Sequence, residues 1–220
     1  MSGEHVRGRA ATKAGDARPR SPLASVGYRQ RAVRLAWATI AWNVVEAVVA
    51  IVAGSAAGSI ALVGFGLDST VEVMSAVVIV WQFRGLAADR ERRALRLIAV
   101  SFFALGAYVG VQAVIDLYRR SEPESSAVGI GLAIASLIVM PMLARAKRRN
   151  GDAMGSVTVV ADSKQTKLCA YLSAILLVGL IMNATGGWWW ADPIAALAIA
   201  ALAANEGREA WRGEICDDCC

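Results

Sequence analysis

Gly64-Phe65-Gly66-Leu67-Asp68-Ser69-Thr70-Val71-Glu72 places two carboxylates four residues apart inside an apolar run from about Ser59 to Phe83. That run is long enough to cross a bilayer, which takes about 20 residues of helix. At ~100° per residue, Asp68 and Glu72 share one helix face, with Gly64 and Ser75 beside them. Ionisable groups at membrane depth are costly, rarely face lipid and are functional by default. The pair therefore reads as half of a site, the alternative being a structural pair hydrogen-bonded across helices.

Five more apolar segments accompany this one. The first, about Ala32 to Ala53, follows Arg29, Arg31 and Arg34 and carries Asn43 and Glu46 at i, i+3. Small residues from Gly54 to Ser59 form a tight turn into the second. A charged loop from Arg84 to Arg93 leads to a third span, about Ala94 to Tyr118, with Gln112 and Asp116. A polar turn from Arg119 to Ser126 precedes the fourth, about Ala127 to Ala144. Pro141 should bend or end it, because proline removes a backbone donor. A basic loop, Arg145 to Asp152, comes next. The fifth segment is apolar only from Leu168 to Met182 and reaches spanning length if it begins near Gly155 and includes Asp162 to Lys167. After a turn at Asn183 to Gly187, Trp188-Trp189-Trp190 reads as an interfacial anchor. Asp192-Pro193 reads as the N-cap and first residue of a sixth helix ending near Ala204.

The expected architecture is an all-α integral membrane protein of six spans. Residues 1–30 form a disordered basic tail, 31–205 the helical domain and 206–220 a short Cys-containing tail. No cleavable signal peptide is evident, since the first ~30 residues lack an apolar core. The net charge of +5 is concentrated in the N-terminal segment and two loops, and there is no continuous basic domain with aromatic platforms, which argues against nucleic acid as a partner. The second loop carries Arg84, Arg90, Arg92 and Arg93, and the fourth carries Arg145, Lys147, Arg148 and Arg149. The third has Arg119 and Arg120 alone, and the first and fifth have no Lys or Arg. Positive charge concentrates on the cytoplasmic side, so both termini are expected there. Of the four cysteines, Cys169 is in an apolar segment and Cys216, Cys219 and Cys220 are at the end, which is no disulfide framework.

The start of the fifth helix completes the candidate site. Asp162, Gln165, Thr166 and Cys169 fall within about 100° of one another, and Lys164 and Lys167 point away and can snorkel to the interface. Asp68 and Gln165 each lie about ten residues into their helices, near 15 Å, the bilayer midplane. Two carboxylates, an amide oxygen and a thiolate at one depth can make a four-ligand site of Asp68, Glu72, Gln165 and Cys169, the alternative for Gln165 and Cys169 being plain polar packing and a small buried thiol. Oxygen and sulfur donors suit Zn²⁺, and a site richer in oxygen would admit Mn²⁺ or Fe²⁺. Glu46 is either an auxiliary ligand or proton site, or a partner of Asn43 and a neighbouring helix. Asp162 either marks the cytoplasmic mouth of the pathway or caps and solvates the helix start. Cys216, Cys219 and Cys220, with Asp217 and Asp218 among them, either capture metal or form an inconsequential tail. Gly106 and Gly110 have the small-xxx-small spacing of close helix packing or a dimer contact. His5 is assigned no role, and the sequon at Asn183-Ala184-Thr185 is too near the membrane to be diagnostic.

Four stretches resemble the cation diffusion facilitator family of metal exporters: Gly58 to Leu62, Leu67 to Glu72, Val160 to Gln165 and Trp190 to Leu197. The resemblance covers roughly residues 30 to 205. In the family, helix two supplies an acidic residue or His and, four later, Asp, and helix five supplies His and, four later, Asp. These positions are Asp68 and Glu72, then Gln165 and Cys169, so helix two is close to the pattern, with Glu72 where the family has Asp, and helix five departs from it twice. The resemblance implies a dimer that exchanges a divalent cation for protons. Without the helix-five His, Asp68, Glu72, Cys169 or Glu46 would carry the protons. The C-terminal domain of many members is not expected, since about 15 residues follow the last span.

The expected function is efflux of a divalent cation, Zn²⁺ foremost, across the plasma membrane, with no cofactor beyond the transported ion. The alternatives are a membrane metal-binding or sensing protein without transport, and an organic-cation transporter. An enzyme is not expected: there is no Gly-rich phosphate loop, no nucleophile motif and no His-based site.

Overall fold

The computed structural model describes residues 22–82, 88–155 and 157–212. Residues 1–21 with His5, 83–87 with Arg84, Ser156, and 213–220 with Cys216, Cys219 and Cys220 lie outside the described residues, as does the Ser75 side chain. Six helices follow in order: α1 Pro22–Ala57, α2 Ile60–Gln82, α3 Ala88–Arg119, α4 Ala127–Met154, α5 Val157–Gly186 and α6 Ala191–Arg212. Four stretches within them are long and apolar enough to cross a membrane: Gly27–Ala57, Arg96–Arg119, Ala127–Met154 and Asp162–Gly186.

The distribution of side chains is that of a multi-pass membrane protein. On α1 the inward stripe is Asn43, Glu46, Ala47 and Ala50, at the i, i+3, i+4, i+7 spacing, while Val44, Val45, Val48 and Val52 face outward. Carboxylates inside and valines outside invert the soluble pattern, because lipid does not hydrate charge. α1 pairs with α2, α3 with α6 and α4 with α5. Helix α2 also touches α3, α5 and α6, and so stands at the centre of the bundle. Its inward residues, Phe65 and Leu62 among them, form the core with Val109, Met140, Leu176 and Ile199.

Helix lengths depart from the expected ones. α1 reaches back to Pro22 into the segment expected to be disordered, and α4 runs through the expected basic loop to Met154. The two extensions support each other: the Asn150 side chain donates to the Tyr28 carbonyl at 3.1 Å. α4 also continues past Pro141, as membrane helices do when neighbours hold the segment in place. α3 begins at Ala88, within the expected charged loop, and α6 continues past the expected end to Arg212. The first turn is shorter than Gly54 to Ser59. α1 runs to Ala57 and is stopped by Gly58, whose φ of 66° lies in the left-handed region, with the Ser59 N–H donating back to the Gly54 carbonyl at 2.9 Å. α5 ends at Gly186, so Asn183 is helical, and its side chain donates to the Pro123 carbonyl at 2.8 Å. Trp188 and Trp190 stack, with centroids 5.7 Å apart, where the chain turns into α6. The Gly106 and Gly110 stripe packs within the chain: a Cβ at Gly106 would sit 3.0 Å from the Ala200 carbonyl oxygen of α6.

Asp192 caps a different helix from the one expected. Its carboxylate accepts from the Ser59 hydroxyl and, at 3.3 Å, from the Ala61 N–H at the start of α2. Ser59 in turn accepts the Leu62 N–H at 3.1 Å. The start of α6 thus fixes the start of the helix that carries the paired carboxylates. Asp192→Ala is expected to destabilise the bundle by about 1–2 kcal/mol, the usual loss for a removed cap, and Asp192→Asn by less. Denaturant titration in detergent reads the difference, and equal loss in both variants would remove the capping role.

Candidate metal centre

Each residue of the centre is set by helix period. On α2, Asp68 and Glu72 lie one turn apart on the inward face. On α5, Gln165 and Cys169 repeat that spacing and face them. One donor atom from each of Asp68, Glu72 and Cys169 lies within 4.8 Å of the others, and all three residues are buried. Gln165, half-buried, lines the same cavity, together with Phe102, Leu172 and Glu206. The cavity measures about 20 Å³, room for one water-sized or ion-sized occupant. A tetrahedral ion with bonds of about 2.0–2.3 Å holds its donors roughly 3.5 Å apart, so the trio would draw in by about 1 Å around Zn²⁺.

The two carboxylates differ in their support. Glu72 accepts from the Asn43 side chain of α1 at 2.6 Å, which leaves one oxygen for other contacts. Asn43 Oδ1 is buried without a partner. Asp68 is 4% exposed and makes no hydrogen bond or ion pair among the described residues. A buried carboxylate with no donor is expensive to keep, and a cation or a proton is what offsets it.

Glu46 lies behind this trio. It accepts from the Ser69 hydroxyl at 2.8 Å and from Trp42 Nε1 at 3.4 Å, and the Cys169 thiol approaches it at 3.9 Å. It is not paired with Asn43, which serves Glu72 instead. Asp162 does not reach the cavity, nor does it merely solvate the helix start. It forms an ion pair at 2.8 Å with Lys147, whose ammonium also donates to the Thr166 hydroxyl at 2.9 Å. Lys147 was expected in a basic loop but is buried on α4. The signal was present in the spacing of Met140, Ala144 and Lys147, which continues one helix face. Glu206, too, escaped the sequence reading because the last span was ended near Ala204. The repeat of Ile199, Ala203, Gly207 and Ala210 carries the buried face of α6 past it.

The family model described as "Cation efflux transmembrane domain" matches residues 94–212, a stretch that contains Gln165, Cys169 and Glu206. The chain is similar to transmembrane protein 163 of Xenopus laevis, with 25% identity over 78% of this chain and 63% of that protein. It is 29% identical to the uncharacterized transporter sll1263 of Synechocystis sp., over 64% of this chain and 49% of the relative. It is 26% identical to the cation-efflux pump FieF of Shewanella oneidensis, over 65% of this chain and 52% of the pump. The chain thus spans about half to three fifths of these relatives' lengths.

Proposed function

Because the chain belongs to the cation diffusion facilitator family of cation-efflux proteins, we propose that it carries a divalent metal ion out of the cytoplasm in exchange for protons. The ion is Zn²⁺ foremost, with Mn²⁺ or Fe²⁺ as runners-up, and it binds through Asp68, Glu72, Cys169 and Gln165 near the bilayer midplane. One observation carries this reading: Asp68, buried and without a hydrogen bond or ion pair among the described residues, lines a cavity of ion size beside Glu72 and opposite Cys169. The thiol shifts the preference towards thiophilic ions. Carboxylates and thiol must lose protons to ligate, so ion binding releases protons at the site itself. The cycle is alternating access, with the bundle rocking around a fixed site. It rests on six spans with both termini in the cytoplasm and, in this family, on a dimer.

The volume of the cavity favours a bare ion over an organic cation. The departures at Gln165 and Cys169 favour one other reading, a protein that binds metal and does not transport it. Purified protein in proteoliposomes separates the two. With Zn²⁺, Cd²⁺, Mn²⁺ and Fe²⁺ supplied in turn, flux is expected for Zn²⁺ and Cd²⁺ and should rise with an opposing proton gradient. Saturable Zn²⁺ binding with no flux under any gradient would leave the binding protein as the function.

A further inference from the structure

The cavity has a further carboxylate that the four-ligand reading does not use. Glu206 of α6 lines it together with Asp68, Glu72, Gln165 and Cys169. It is half-buried and makes no hydrogen bond or ion pair among the described residues. Its neighbour Glu209 differs: it is exposed and accepts from the Asn205 side chain at 2.8 Å. Asp68, nine-tenths buried and also unpartnered among the described residues, opens onto the same space from α2. Among the described residues no cation lines the cavity, and the buried Lys147 is held by Asp162. Three carboxylates around so small a volume repel one another strongly in a medium of low dielectric, and a divalent ion removes that repulsion. Glu206 is also nearer the end of its helix than the trio is to theirs, six residues or ~9 Å short of Arg212.

We propose that Glu206 is a cation-binding residue at the mouth of the cavity, taking up the divalent ion and passing it to Asp68, Glu72 and Cys169. The proposal rests on the reading of that trio as a metal site. It adds a ligand from α6, so that ion entry draws α6 towards α2 and α5. Capture at the mouth sets the concentration at which the site fills, and the trio sets what happens afterwards.

The test uses the full chain with Cys216→Ser, Cys219→Ser and Cys220→Ser, which leaves Cys169 as the sole thiol. Cd²⁺ is the probe, because its thiolate complex absorbs in the ultraviolet and so reports on Cys169 directly. Glu206→Gln is expected to reach the same absorbance at saturation while requiring roughly tenfold more Cd²⁺, the usual loss for one charged contact. In proteoliposomes the same variant should raise the half-saturating Zn²⁺ concentration roughly tenfold. Glu206→Asp, which keeps the charge on a shorter stem, should fall between the two, and Glu209→Gln should match the parent. Superimposable parent and Glu206→Gln curves, with flux intact, would overturn the role of Glu206 and leave the metal site standing. A shifted Cd²⁺ titration without Zn²⁺ flux in the parent would overturn transport and leave Glu206 as a ligand. If the parent gives no Cd²⁺–thiolate absorbance and Zn²⁺ flux is unchanged by Glu206→Gln, the trio and Glu206 both fall.

Discussion

Asp68→Asn is expected to lower Zn²⁺ flux by more than about 100-fold while leaving the folded protein at least as stable as the parent. Residues that merely support a ligand change affinity by about 10- to 100-fold, and in the proposed site Asp68 is itself a ligand of the ion. The stability half of the expectation follows from its surroundings. Asp68 has no donor to lose among the described residues, and Asn has nearly the same shape without a charge to bury. Most substitutions that abolish transport do so by damaging the fold, so this pairing of outcomes is diagnostic. Flux and unfolding in detergent should be measured on the same preparation. Undiminished flux would remove Asp68 from the pathway. A large loss of stability would show that it has a structural partner instead.

Lys147→Met should have the opposite profile. Asp162 would be left as a nearly buried, unpaired carboxylate between α4 and α5, and breaking a buried pair from one side costs about 3–5 kcal/mol. The Thr166 hydroxyl would lose its donor as well. The double variant Lys147→Met, Asp162→Leu is expected to recover most of that loss, because replacing both partners by apolar groups removes the desolvation penalty together with the attraction. Denaturant unfolding of the two single variants and the double variant forms a thermodynamic cycle. A coupling near zero would mean that the pair does not hold α4 against α5.

Much of the site could be read from the sequence because each half is local. Asp68 and Glu72 are one helical turn apart, as are Gln165 and Cys169, and the period alone puts each pair on one face. That the two faces meet is a tertiary fact, which brings Asp68, Glu72 and Cys169 together. The roles of Asn43 and Glu46 could not be anticipated in this way. Both lie on the inward face of α1, and only the packing of α1 on α2 decides that Asn43 reaches Glu72 while Glu46 reaches Ser69. Asp192 was misassigned for a similar reason: Asp-Pro at a helix start is a local capping signal, and the carboxylate is instead drawn to the unsatisfied donors at the start of α2.

The ends of helices were the least legible. Arg145 to Asp152 looks like a loop because it is charged, yet α4 continues through it with Lys147 and Asn150 turned inward and Arg145, Arg148 and Arg149 outward. Charge marks where a chain leaves lipid, and it does not mark where a helix ends.

The apolar runs by themselves determined that this chain is a helical membrane protein, because a bilayer leaves the backbone of each span no hydrogen-bond partner but its own helix. They also determined that Asp68 and Glu72 share a face, because that follows from 3.6 residues per turn. Only the tertiary structure decided what those carboxylates meet. It placed Cys169 opposite them, Glu206 in the lining of their cavity and Asn43 on Glu72, and it gave Asp68 no hydrogen bond or ion pair among the described residues. These relations join residues from four helices, up to 163 positions apart in Asn43 and Glu206, and no local period connects them.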